Sequence, residues 1–160
     1  MREVELFGFL ERRGDAAFSL TAAGEICSWN AAAENMFGYP AAEVLHTNGY
    51  KLLKGRGVLG TSITSEPIDV RSVAAAPAIP DFDLEVTHSL GHRMWVNVSS
   101  LVFQDSGLHR YLLVHLARDI SAQKMAGKLM KDHEALVHEL IRVSKQVVDV
   151  RGDGARLAPV

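Results

Sequence analysis

The chain predicts an α+β domain: one antiparallel sheet with short helices, flanked by a helix at each end. Three observations point there. Runs of strand-favouring residues joined by tight turns occur in residues 17–29 and again in residues 83–117. Short helical stretches, each opened by Asn or Pro, follow the first group. From Ser121 onward, apolar residues recur at alternating steps of four and three as far as Val150.

Composition bounds the rest. A chain of 160 residues suits one domain plus an extension, and 48% hydrophobic with 22% charged residues supports a packed core. A formal net charge of -2 argues against contact with nucleic acid. The single cysteine, Cys27, allows no internal disulfide and fits a cytoplasmic location. No apolar run approaches the roughly 20 residues that span a bilayer, so no membrane role is expected.

Residues 1–13 read as an amphipathic helix. Val4, Phe7 and Leu10 fall near one face at helical spacing, beside Leu6, among charged residues. Such a short helix is marginal alone and needs a partner surface. The candidates are a second copy of the chain, with Val4, Phe7 and Leu10 as interface, or the chain's own sheet. Gly14-Asp15 breaks this helix. AFSL and EICSW, separated by Ala-Ala-Gly, then form a hairpin. Asn30 follows at once as an N-cap, because its side-chain oxygen can accept from free N–H groups of the first turn. Gly38 stands where a helix end favours the left-handed conformation.

PAAEVL reads as a second short helix with Pro40 in its first turn. HTNGYKLL is ambiguous, with a turn at Asn48-Gly49. Residues 54–80 carry six glycines and prolines that prevent a long element, and 72–76 allow one helical turn. Residues 83–87, 94–103 and 111–117 are three strands with turns between them, giving five strands in all. On the middle one, Met94, Val96, Val98 and Ser100 share a face, and Trp95, Asn97, Ser99 and Leu101 share the other. The sequence leaves open which face is inside.

Asp119 or Ser121 caps the last helix. Its heptad places Ala122, Ala126, Leu129, His133, Leu136, Leu140, Val143, Val147 and Val150 on one seam, with only His133 polar. Gly127 is its weak point. A dimeric coil with Leu129, His133, Leu136, Leu140 and Val143 as interface stands against a helix folded back on its own sheet. Residues 151–160 are Gly-rich and read as a linker, after which an output domain is expected.

Residues 26–39 read I-x-x-W-N-x-A-x-E-x-x-F-G-Y. They resemble the opening segment of a PAS domain. F-D-L-E-V, then G-x-x-x-W-V-x-V-S, then V-H-L-x-R-D-I-S resemble its closing half. The resemblance covers about residues 14–121, loosely over 54–80, and implies a PAS fold, a five-stranded antiparallel sheet with short helices on one face, with residues 1–13 as a leading helix and 122–150 as a signalling helix. Pro40 departs from the Ser or Thr common at that position in relatives. The implied function is a cytoplasmic sensory and dimerisation module, a homodimer that takes a small-molecule ligand. The short coil and the ending R-L-A-P-V resemble the front half of bacterial transcription regulators with a LuxR-type helix-turn-helix. The competing output is a histidine kinase, whose phospho-acceptor would be His138 before Glu139.

Seven histidines raise metal and haem chemistry. No CxxC or HExxH spacing is present, so no metal site is expected. His46 and His115 are the haem candidates, from helix and strand positions that line the cavity in haem-binding PAS domains. Trp29 and Asn97 are the flavin candidates, through stacking and amide contacts. The photoactive flavin branch carries a reactive cysteine where this chain has 46–51 without one, so covalent photochemistry is not expected. No cofactor at all is the expectation these are weighed against. No nucleophile elbow, phosphate loop or carboxylate pair suggests an enzyme, so no catalytic residue is assigned.

Overall fold

The computed structural model describes residues 1–57, 75 and 79–154, with side chains described to residue 148. The order is α1 (Glu3–Glu11), β1 (Ala16–Thr21), β2 (Ile26–Trp29), α2 (Ala31–Phe37), α3 (Ala41–Val44), α4 (Gly49–Leu53), β3 (Arg56–Gly57), β4 (Phe82–Thr87), β5 (Arg93–Gln104), β6 (Tyr111–Asp119) and α5 (Ser121–Gly154). The helical turn expected at 72–76 falls, but for Ala75, outside the described residues. So do positions 155–160.

The strands form one antiparallel sheet in the order β2-β1-β6-β5-β4-β3. Among the described residues it has six strands, not five. The additional one, β3, is two residues long and exists through its partner: Arg56 lies opposite Glu85 and Gly57 opposite Leu84. Two residues carry no periodicity, so a sequence pattern cannot announce them.

The hairpin β1–β2 and the helix after it follow from local chemistry. Asn30 Oδ1 accepts from Ala33 N at 2.9 Å, capping α2, and from Ala17 N at 2.9 Å. Its amide donates to the carbonyls of Leu10 and Asp15, each at 3.0 Å. One buried side chain therefore joins α1, β1 and α2. Gly38 ends α2 at φ 76°, with its N–H returned to Glu34 O. Pro40 precedes α3 as an extended N-cap without a side-chain bond, so the first turn goes uncapped by a hydroxyl. Asn48 caps α4 by accepting from Lys51 N, which settles HTNGYKLL as a turn into a helix.

The sheet has two faces. Phe18, Leu20, Val86, Met94, Val96, Val98 and Leu113 lie on one, packed with Ile26, Ala33, Phe37 and Val44 of the small helices and β2. The inward face of β5 is thus the Met94–Val96–Val98 set. On the other face, Ala17, Phe103, Leu112 and Val114 meet Leu6 and Leu10 of α1. Two buried leucines contribute about 3–6 kcal/mol, enough to hold a helix that would be marginal alone. The N-terminal end of α1 is tied down as well: Glu3 N donates to Asp105 Oδ2 at 2.6 Å, and Arg110 pairs with the Glu3 carboxylate. This corrects the interface assigned to α1. Leu10 is 3% exposed and belongs to the chain's own core, Phe7 is half-buried beside it, and Val4 alone of the three points outward, at 81%.

Residues 1–121 form one compact unit. The helix α5 belongs to a second, and its end at Gly154 lies beyond Val150, where a linker was expected to begin. Asp119 Oδ1 accepts from Ser121 N at 2.8 Å, while Ser121 Oγ accepts from Trp95 N, so Asp119 takes the capping role. Along α5, Leu129, Leu136 and Leu140 are 61%, 65% and 69% exposed, and His133 and Val143 are exposed with them.

Candidate functional site

A cavity of about 130 Å³ lies between the inward sheet face and α4. Its described walls are Phe18 and Leu20 of β1, Tyr50 and Leu53 of α4, Phe82, Leu84 and Val86 of β4, Val98 of β5 and His115 of β6, with Gly49 and Gly55. The strand residues arrive there by the two-residue period: Phe82, Leu84 and Val86 alternate with outward Asp83, Glu85 and Thr87. Asn48, by capping α4, sets the helix that brings Tyr50 and Leu53 over the sheet.

The described walls are almost wholly apolar, and two of their side chains carry a polar group. His115 is buried, with Nδ1 2.7 Å from Ser100 Oγ and its ring 5.1 Å from that of Phe18. Burial lowers its pKa to about 4, because water no longer solvates the imidazolium. It is neutral at pH 7. Tyr50 carries the other polar atom. Its hydroxyl is buried and has no hydrogen-bond partner among the described residues, and burial raises its pKa. Its ring lies against Gly24, where a Cβ would come within 2.6 Å of it; that glycine turns at φ 84°.

Of the four residues assigned to cofactors, only His115 reaches the cavity. His46 is excluded by its backbone. At φ 66°, with its N–H donated to Ile26 O, its imidazole is turned out to Glu25 at 2.9 Å and is 80% exposed. Trp29 is buried in the core instead, its ring 5.2 Å from Phe18 and 5.3 Å from Phe37, its Nε1 donating to Tyr39 O. Asn97 stands on the opposite face of β5 and donates to Asp83 Oδ1 at 2.8 Å. Tyr50, Phe82 and Leu84 were not singled out from the sequence. The signal for the two β4 residues was the alternation of F-D-L-E-V; nothing local marks Tyr50.

The described walls do not fit haem or a flavin. The cavity is well below the roughly 300–1,000 Å³ of sites for drug-sized molecules. It is close to the about 150 Å³ of an engineered apolar cavity that takes up benzene. Cys27 packs toward α1 on the far face of the sheet, where burial raises its pKa, so it offers no thiolate to a ring in the cavity. Among the described residues no group of three or more His, Cys, Asp or Glu could hold a metal ion. Nor is any described helix long and apolar enough to cross a membrane.

A family model described as PAS fold matches residues 5–56. Among solved structures, the PAS domain of an HTR-like protein from Haloarcula marismortui is 22% identical. That match covers 73% of this chain and 90% of that one, with a TM-score of 0.55. A PAS domain from a two-component sensor histidine kinase is 15% identical over 72% of this chain and 94% of that one, with a TM-score of 0.53. A LOV protein of Rhodobacter sphaeroides is 12% identical over 73% and 65%, with a TM-score of 0.56. No curated protein matches this sequence. With TM-scores above 0.5 at identities this low, the likeness shows the fold alone.

Proposed function

We propose, with the PAS fold as premise, that the chain is a sensory and dimerisation module of signal transduction in the cytoplasm. It binds a small molecule in the cavity and passes the bound state to a partner copy through α5. The observation that carries this reading is the cavity itself. An apolar space walled by β1, β4, β5, β6 and α4 lets one ligand touch strands and helix together. A ligand that fits one arrangement of those walls better shifts the population toward it, by no more than its differential affinity. The stripe Leu129, His133, Leu136, Leu140 and Val143 is the output side, and pairing with a second copy would bury it. Val4 of α1 is itself open to a second copy, whereas Leu10 is held in the chain's own core. Transcription, by a LuxR-type helix-turn-helix, is the output the sequence resemblance favours, and the chain itself performs no catalysis.

The test is coupling. Val98→Phe adds volume at the cavity wall and imitates the occupied state. Sedimentation equilibrium of the full chain should show a changed dimer dissociation constant, by threefold or more. An unchanged constant in a folded Val98→Phe protein would refute the coupling.

A further inference from the structure

We propose that the cavity takes a small uncharged hydrocarbon, one ring in size, held by apolar contact alone. This rests on the ligand-sensing reading above and names its ligand class. Polarity comes first. The described walls expose almost no polar atom. The Tyr50 hydroxyl has almost no exposed area, so Tyr50 lines the cavity without offering its oxygen. His115 lines it as a neutral ring with Nδ1 tied to Ser100 Oγ at 2.7 Å. No carboxylate, ammonium or guanidinium stands among the described walls. An ion would lose its water there without compensation, and a ligand hydroxyl would give up its hydrogen bonds to water for none in return.

Size comes next. At about 130 Å³ the space suits one ring, as does the engineered apolar cavity of about 150 Å³ that stays dry and binds benzene. Water is a poor occupant, since it needs two to four polar partners. Left empty, the space denies its lining the dispersion contacts of a packed core, and a hydrocarbon restores them. The contacts would be spread over the sheet and its helix. Phe18 and Leu20 come from β1, Leu84 and Val86 from β4, Val98 from β5 and Leu53 from α4, so one occupant meets them together.

Titrating toluene, phenol and benzoate into ¹⁵N-labelled full-length chain tests this through amide shifts of β4, β5 and α4. Toluene should bind at least about fivefold tighter than phenol, whose hydroxyl goes unpartnered, and benzoate should not bind. Leu84→Trp and Val98→Phe fill the space from two different strands, and each folded variant should lose toluene. Phenol as tight as toluene, or any binding of benzoate, would overturn the ligand class and leave the sensing reading intact. Toluene affinity unchanged in either folded variant would overturn the site. No binding of any of the three up to their solubility would overturn this ligand class and the sensing reading together.

Discussion

Acidification isolates His115, because its proton affinity and that of its unfolded counterpart bracket a window of their own. The ordinary imidazole value is 6.5 and the folded value about 4. Between them the unfolded chain binds a proton that the native protein refuses, so stability rises with pH there. The contribution is fully present above pH 6.5 and is lost as pH falls toward 4. Each tenfold in proton affinity is about 1.4 kcal/mol. The native state should therefore lose about 2 kcal/mol between pH 7 and pH 5, and about 3 kcal/mol by pH 4, from this group. Urea unfolding at pH 7, 6 and 5 measures it. With a slope of about 2 kcal/mol per molar, the midpoint should fall by about 1 M between pH 7 and 5. His115→Phe keeps a planar ring in place and removes the proton, so its midpoint should be flatter with pH by that amount. It should start lower at pH 7, since Ser100 Oγ loses its partner. Asp105 does not blur the window. The backbone N–H of Leu108, helped by those of Glu3 and Gly107, holds its carboxyl below 3.8, so its contribution is lost only at lower pH. An imidazole resonance of His115 titrating near 6.5, or a His115→Phe protein with the wild-type pH dependence, would refute the reasoning.

Asn30→Ala should cost about 3–5 kcal/mol in urea unfolding, because it orphans backbone groups of α1, β1 and α2 at once. Asn48→Ala, which removes one cap from the exposed start of α4, should cost only about 1 kcal/mol. Glu3→Ala should cost about 1 kcal/mol, the pair with the half-exposed Arg110 being partly screened. It should raise amide hydrogen exchange at Leu6 and Leu10 before any other element. Leu136→Lys with Leu140→Lys should weaken the dimer at least about a hundredfold in sedimentation equilibrium, since each copy stops burying two leucines. Wild-type chain that stays monomeric at high concentration would rule out α5 as a pairing surface.

Much of the fold was legible because it is written in local rules. Asn30 caps where a side-chain oxygen meets free N–H groups, Gly38 turns where only a left-handed residue closes the helix, and the hairpin β4–β5 follows from a period of two across a tight turn. Those interactions span a few residues, so the sequence order alone specifies them. What depended on distant partners was not legible. Strand β3 exists only because Leu84 and Glu85 offer it a ladder. The rotation of α1, which buries Leu10 and exposes Val4, is set by an apolar patch on β1, β5 and β6 and by the pairing of Glu3 with Arg110. Likewise, His46 and His115 are one residue type with equal standing in the chain. A left-handed backbone turns the first to water, and a central strand buries the second against Phe18. The sequence by itself determined that a capped, hairpin-built α+β sheet would form. The tertiary structure alone decided which face of each strand closes on the cavity, because burial is a property of what packs opposite a residue and not of its neighbours in the chain.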